Sequence, residues 1–151
     1  GFGKACELAQ KHLVSQESSS LSSLREHFYK LISNQISGVE IFGDLENRLP
    51  NTLNLGFDEV EGDTLLIGLD MAGVAVSTGS ACSSGSGLPS PVLTAMGIPL
   101  DKINSSIRFS FGWGNTLAEV EEAAKVLEET VLLNRVGFSK EMNNKKLMKS
   151  L

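Results

Sequence analysis

Ser77-Thr78-Gly79-Ser80-Ala81-Cys82-Ser83-Ser84-Gly85-Ser86-Gly87 surrounds a single thiol with small residues, behind the apolar β-branched pair Val74 and Val76 and ahead of Leu88-Pro89-Ser90-Pro91. The apolar run from Val74 to Ser77 predicts a strand that delivers this loop. Ser90 followed by Pro91 predicts a helix start, because serine can cap the helix and proline at its first position loses no hydrogen bond. The thiol therefore lies on a connection between a strand and a helix. Glycines at 79, 85 and 87 open backbone angles closed to other residues, so this is a segment in which a thiol can be carried from place to place. On residue type alone two readings stand: a reactive cysteine, or an inert one, since free cysteine is among the most buried side chains.

Working outward, the helix begun at Pro91 is predicted to end by Gly97. Ile107, Phe109 and Phe111 then alternate with Arg108 and Ser110, which makes a strand with one apolar face and a guanidinium on the other. Upstream, Leu53, Leu55 and Phe57 alternate with Asn54 and Gly56, the period of a half-buried strand, and Val39 to Phe42 reads as a shorter one. Asp63 is placed to cap a helix that buries Leu65, Leu66 and Leu69 and stops at Gly73. Thr116 with Glu119 forms a capping box ahead of Leu117, Val120, Ala124, Leu127 and Val131, an amphipathic helix. Residues 2, 5, 6, 9 and 13 share one helical face near the start, which predicts Cys6 as a packed core thiol. The serines between 15 and 23 would by local chemistry break a helix, yet the stripe resumes at Leu21, Leu24, Phe28, Leu31 and Ile32. Beyond Arg135 the pattern fades, and residues 136–151 read as a polar, flexible tail on a domain spanning 1–135.

The 151 residues make up one domain able to bury a core, and a net charge of −5 argues against a nucleic-acid or membrane surface, both of which need clustered positive charge. No run approaches the ~18 apolar residues of a membrane span, and no charged-then-apolar start resembles a signal peptide. A soluble protein of the cytoplasm, or of an organellar matrix, is the expectation. Cys6 and Cys82 are too few for a disulfide framework, and His12 and His27 have no metal-ligand spacing with either, so no metal is expected. The chain opens on Gly1 without a methionine, within a helical pattern, and this predicts a piece of a longer protein.

Arg48-Leu49-Pro50-Asn51-Thr52-Leu53-Asn54, Val60-Glu61-Gly62-Asp63-Thr64-Leu65-Leu66, the Cys82 loop with Pro89-Ser90-Pro91-Val92-Leu93-Thr94-Ala95-Met96-Gly97, and Ser105-Ser106-Ile107-Arg108-Phe109-Ser110-Phe111-Gly112 follow one another in this order. In these motifs the chain resembles the C-terminal small domain of cysteine desulfurases, pyridoxal-phosphate enzymes of the class V aminotransferase type, from about Gly1 to about Val131. The fold expected is α+β: a small, mostly antiparallel sheet with helices on one face, its strand order implied by the resemblance.

The resemblance also implies the chemistry. Cys82 stands at the position of the nucleophile that takes sulfur from L-cysteine, leaving L-alanine and an enzyme persulfide for an acceptor protein in iron–sulfur cluster assembly or tRNA thiolation. A thiolate that must reach both cofactor and acceptor suits a Gly/Ser loop. Arg108 stands at the position of the arginine that binds the substrate carboxylate, where a planar fork gives two parallel charged hydrogen bonds; its plainer reading is a solvated arginine on an open strand face. A homodimer is implied for the complete enzyme. Asn51 offers only turn and loop hydrogen bonding. Trp113 and Gly114-Asn115 depart from the family's residues after the glycine. The family's cofactor lysine follows a histidine, and neither His12 nor His27 precedes a lysine, so no cofactor-binding residue is assigned and the chain by itself is expected to be inactive. Two alternatives remain at this level: selenocysteine lyase, whose small domain is similar, and a free-standing module that relays a persulfide.

Overall fold

In the computed structural model, residues 1–14, 17–44, 46–78 and 89–149 are described, with 14, 17–19 and 138–149 described by their backbone alone. The elements run α1 (Phe2–Val14), α2 (Glu17–Gln35), β1 (Val39–Phe42), β2 (Thr52–Phe57), α3 (Gly62–Met71), α4 (Pro91–Ala95), α5 (Leu100–Asn104), β3 (Ser106–Ser110) and α6 (Leu117–Lys149). The sheet is antiparallel in the order β1-β2-β3. Its register sets Ile41 opposite Leu55 and Leu55 opposite Ile107, with Leu53 opposite Phe109, so the alternating apolar residues fall on one face.

That face is where the main helices pack. Leu21, Phe28, Ile32 and Ile36 of α2, Leu65 and Leu69 of α3, and Val120, Ala124, Leu127 and Val131 of α6 join the strand residues in one buried cluster. Phe28 sets its ring against Phe109 and Phe111, with centroids 4.9 and 5.6 Å away and tilted planes, an arrangement favoured by the ring quadrupoles. The architecture is the α+β one expected from the sequence. A smaller cluster lies on the opposite face, where Leu93 of α4, Ile103 of α5 and Ile98 close over Phe42. The Phe42 ring in turn lies over Gly56, where an added Cβ would come within 2.6 Å of Cζ.

Several end signals act as the sequence predicts. Ser90 caps α4, its Oγ accepting from the Leu93 N–H at 3.4 Å. Gly73 takes φ +83° just after α3, while the Val74 N–H donates to the Leu69 carbonyl and closes the helix. The Thr116 N–H and hydroxyl both donate to Glu119 Oε2, and the Glu119 N–H donates back to Thr116 Oγ1.

Other expectations are corrected. Asp63 does not cap α3: the cap position falls to Glu61, without a side-chain bond, and Asp63 is left in the first turn to complement the helix N-terminus by charge. Cys6 is exposed and no core thiol. The reason is that α1 lies against α2 alone among the main contacts, leaving Phe2 87 % and Leu13 73 % exposed. A helical stripe tells which face would be buried; it does not supply the partner. Ser18 to Ser23 are helical within α2, because the packed stripe from Leu21 onward outweighs the local preference of serine. Residues 15 and 16 lie outside the described residues.

The strand expected at 74–77 reduces to a single bridge at Ser77. Val74 and Val76 turn toward the core cluster instead, and a groove of about 430 Å³ separates residues 72–76 from Phe109, Ser110 and Phe111. Where the sequence predicts a polar tail from residue 136, the α6 backbone continues to Lys149. A helix already started by a capping box extends through lysine, glutamate and methionine without a proline to stop it.

Candidate active site

Arg108 lies on the sheet face opposite the main helices, and the register builds a row across the sheet at its level. Phe42 of β1 faces Asn54 of β2, Asn54 faces Arg108 of β3, and Arg108 faces Ser77. Residues directly opposed in an antiparallel sheet put their side chains on the same face. Leu53, Leu55, Ile107 and Phe109 bury on the helix side, so Asn54 and Arg108 belong to the other. Both are half-buried.

Ser77 joins this row through two backbone bonds. Its N–H donates to the Arg108 carbonyl at 3.2 Å, and the Arg108 N–H donates to the Ser77 carbonyl at 2.7 Å. The chain entering the cysteine segment is therefore fastened to the main chain of the arginine itself. Cys82 lies outside the described residues. Its distance from the anchor along the sequence is five residues, and that length of fully extended chain spans about 18 Å at most. On the far side of this segment in sequence, buried Ser90 caps the start of α4.

The surroundings are held by ordinary structural bonds. The Asn51 carbonyl accepts from the Phe111 N–H at 2.8 Å and so fastens the end of β3. Behind it, Gly112 and Asn115 close the turn, the Gly112 N–H donating to Asn115 Oδ1 at 2.7 Å. Trp113 stacks on His12 of α1 with ring centroids 3.9 Å apart and planes 21° apart. Lys102 of α5 reaches Asp58 at 2.6 Å and Glu40 at 3.2 Å, which raise its pKa above the ordinary lysine value and tie α5 to the end of the sheet.

Neither the groove beside β3 nor a second, open cleft of about 490 Å³ at Ser37, Asp58 and Arg135 is lined by Arg108. The first is walled by Val74, Val76, Phe109 and Phe111, with Ser110, Asn115, Glu119 and Glu122 at its polar side. Among the described residues no three His, Cys, Asp or Glu side chains gather as metal ligands, and no helix is long and apolar enough to cross a membrane. The row holds one residue that the sequence reading passed over. Asn54 was legible in the alternation of β2, but only the register places it opposite Arg108.

The chain is similar to known proteins over most of its length. The chain is 42 % identical over 127 residues to a cysteine desulfurase of Gluconacetobacter diazotrophicus, covering 84 % of the chain and 32 % of that protein. It is 43 % identical over 131 residues to the cysteine desulfurase IscS of Dictyoglomus turgidum, covering 87 % and 33 %. Among solved structures, a NifS-like protein matches with a TM-score of 0.73 and 32 % identity over 86 % of this chain and 32 % of that one. A NifS-like protein of Rickettsia africae matches with a TM-score of 0.72 and 29 % identity over 85 % and 32 %. The chain thus spans about a third of the length of these relatives. The aminotransferase class-V family model matches residues 1–123, and the chain belongs to that family.

Proposed function

We propose that these residues are the C-terminal part of a pyridoxal-phosphate-dependent cysteine desulfurase, with Cys82 as nucleophile and persulfide carrier and Arg108 as the clamp for the substrate carboxylate. The observation that carries the reading is the double backbone bond between Ser77 and Arg108, which ties the root of the cysteine segment to the carboxylate clamp. Similarity to proteins named cysteine desulfurase supports the substrate.

Arg108 would hold L-cysteine by two parallel N–H donors on its carboxylate, fixing the amino acid at one end. The Cys82 thiolate would then attack the sulfur at the other end. An S–S bond forms as the Cβ–S bond breaks, the electron pair stays with the carbon skeleton, and protonation releases alanine. Pyridoxal phosphate supplies the electron sink for that bond cleavage when it is bound. The residues of this chain do not fit the group by themselves: His12 is followed by Leu13 and His27 by Phe28, so no histidine–lysine pair is present to take the aldehyde. The isolated chain is therefore proposed to be inactive, and the complete enzyme to work as a homodimer that hands sulfur to an acceptor protein in the cytoplasm or an organellar matrix.

The test is Cys82→Ser in the cofactor-loaded protein. It should bind L-cysteine as before, yet release almost no alanine and carry no persulfide. Full turnover by this variant removes Cys82 from the role. Selenocysteine supplied in parallel separates desulfurase from lyase, and sulfur transfer without pyridoxal phosphate would favour a free-standing relay.

A further inference from the structure

Asn54 is placed where an asparagine is costly. Its Oδ1 is buried and accepts no hydrogen bond, and asparagine is a poor strand former in the middle of a sheet. A buried acceptor left without a donor is destabilising, so a valine or threonine here would suit the fold better. Residues that break a local rule at a cost to folding are expected at functional sites.

The donors around this oxygen can be taken in turn. On the same face, Phe42 opposite it carries none and Gly56 has no side chain. Thr52 directs its hydroxyl to Asn51 Oδ1 at 3.4 Å. Ser106, diagonal to Asn54, donates to the Ile103 carbonyl at 2.7 Å. Ser110, on the other diagonal, is exposed to water. Arg108 stands directly across. Because the Arg108 N–H and C=O both point to Ser77, its pairing with Asn54 is the non-hydrogen-bonded kind, in which Cα atoms approach to about 4.5 Å and side chains are closest. A guanidinium has five N–H donors, and a carboxylate held by the fork uses two of them.

We infer that Asn54 is a positioning residue for the proposed carboxylate site: its Oδ1 accepts from the Arg108 guanidinium when the fork engages the substrate carboxylate. The inference rests on the reading of Arg108 given above. The sheet supplies the backbone of the pair, and the amide supplies the direction. Without that acceptor the guanidinium keeps its charge and loses its aim.

The experiment is a double-mutant cycle in the pyridoxal-phosphate-loaded protein, with Asn54→Ala, Arg108→Lys and both together, measured with L-cysteine. A second readout is the binding of L-alanine, which keeps the carboxylate and lacks the thiol, followed by the NMR signal of the Arg108 side chain. Asn54→Ala should raise KM for L-cysteine and weaken L-alanine binding about tenfold or more, the loss expected for one hydrogen bond to a charged group, while kcat falls much less. In the Arg108→Lys background the same change should add almost nothing, since the group it positions is gone. Its melting temperature should not fall below wild type, because the buried acceptor without a donor is removed with the side chain. An unchanged KM and L-alanine affinity in Asn54→Ala, or an equal loss in both backgrounds, overturns the inference while leaving Arg108 as the clamp. If Arg108→Lys itself changes neither, the reading of Arg108 fails and takes the inference with it.

Discussion

The two faces of the three-stranded sheet are built from the same strands and do opposite things. On one, Leu53, Leu55, Phe57, Ile107 and Phe109 are closed over by three helices and reach 5 % exposure at most. On the other, Asn54 and Arg108 stand half-buried beside a small cap of α4 and α5, and Ser110 is open to water. Since successive strand residues point to opposite faces, the alternation of β2 and β3 assigns packing to one set and polar chemistry to the other. The comparison teaches that, with Arg108 in its proposed role, stability and binding would be set by residues one position apart.

The largest expected effects test that separation directly. Leu127 of α6 is fully buried in the helix-side cluster, and Leu127→Ala should cost about 2–5 kcal/mol of unfolding free energy by lost burial and the cavity left behind. Arg108→Lys should leave the denaturant midpoint close to wild type and instead weaken L-cysteine binding by on the order of 2–5 kcal/mol, because lysine keeps the charge without the fork. Denaturant unfolding and substrate titration on both variants decide the matter. A large loss of stability in Arg108→Lys would break the division between the faces.

Gly56 sharpens the same comparison at its border, since it belongs to the polar face but lies beneath the Phe42 ring. Gly56→Ala should cost about 1–3 kcal/mol, the usual penalty for overfilling a packed contact, as the ring is displaced from Leu93 and Ile103. Thermal unfolding measures it. A neutral result would mean that the α4–α5 cap yields freely and contributes little to the fold.

How much of this the sequence revealed depends on whether the signal was local. The alternation at Leu53-Asn54-Leu55 and at Ile107-Arg108-Phe109 is local, and both strands lie where the period puts them. So are the serine cap at Ser90 and the capping box at Thr116. Cys6 was misplaced because burial of a stripe needs a second surface, and the sequence of α1 cannot name one. The short helix α5 escaped notice because five residues carry too little periodicity to register. The alignment of Asn54, Arg108 and Ser77 was beyond reach for the same kind of reason: each residue was visible alone, but a register joins strands distant in sequence. Arg108 and Cys82 came from motif resemblance, and the structure adds the row around Arg108.

The smallest effects should come from the α6 start, which belongs to neither face and serves as a control. Thr116→Ala removes the cap acceptor for the Glu119 N–H and should cost about 1 kcal/mol in thermal unfolding, without changing substrate binding. Glu119 adds a pH dependence to the same cap. The Thr116 N–H and hydroxyl donate to its carboxylate at 2.7 and 3.0 Å, and these bonds lower its pKa below the ordinary value of 4.5. A depressed carboxyl pKa in the folded state means that the unfolded chain takes up the proton first as pH falls. The stabilisation is therefore complete above about 4.5 and is lost as pH drops through the lower folded value. Asp44 is lowered by the Asn47 and Glu46 N–H groups and titrates in the same direction, so the measurement has to be a difference. Melting temperatures of wild type and Glu119→Gln across pH 3–6 (about the carboxyl range) should differ most at the upper end and converge at the lower. A gap that stays constant with pH would show that the carboxylate's charge contributes nothing to the cap.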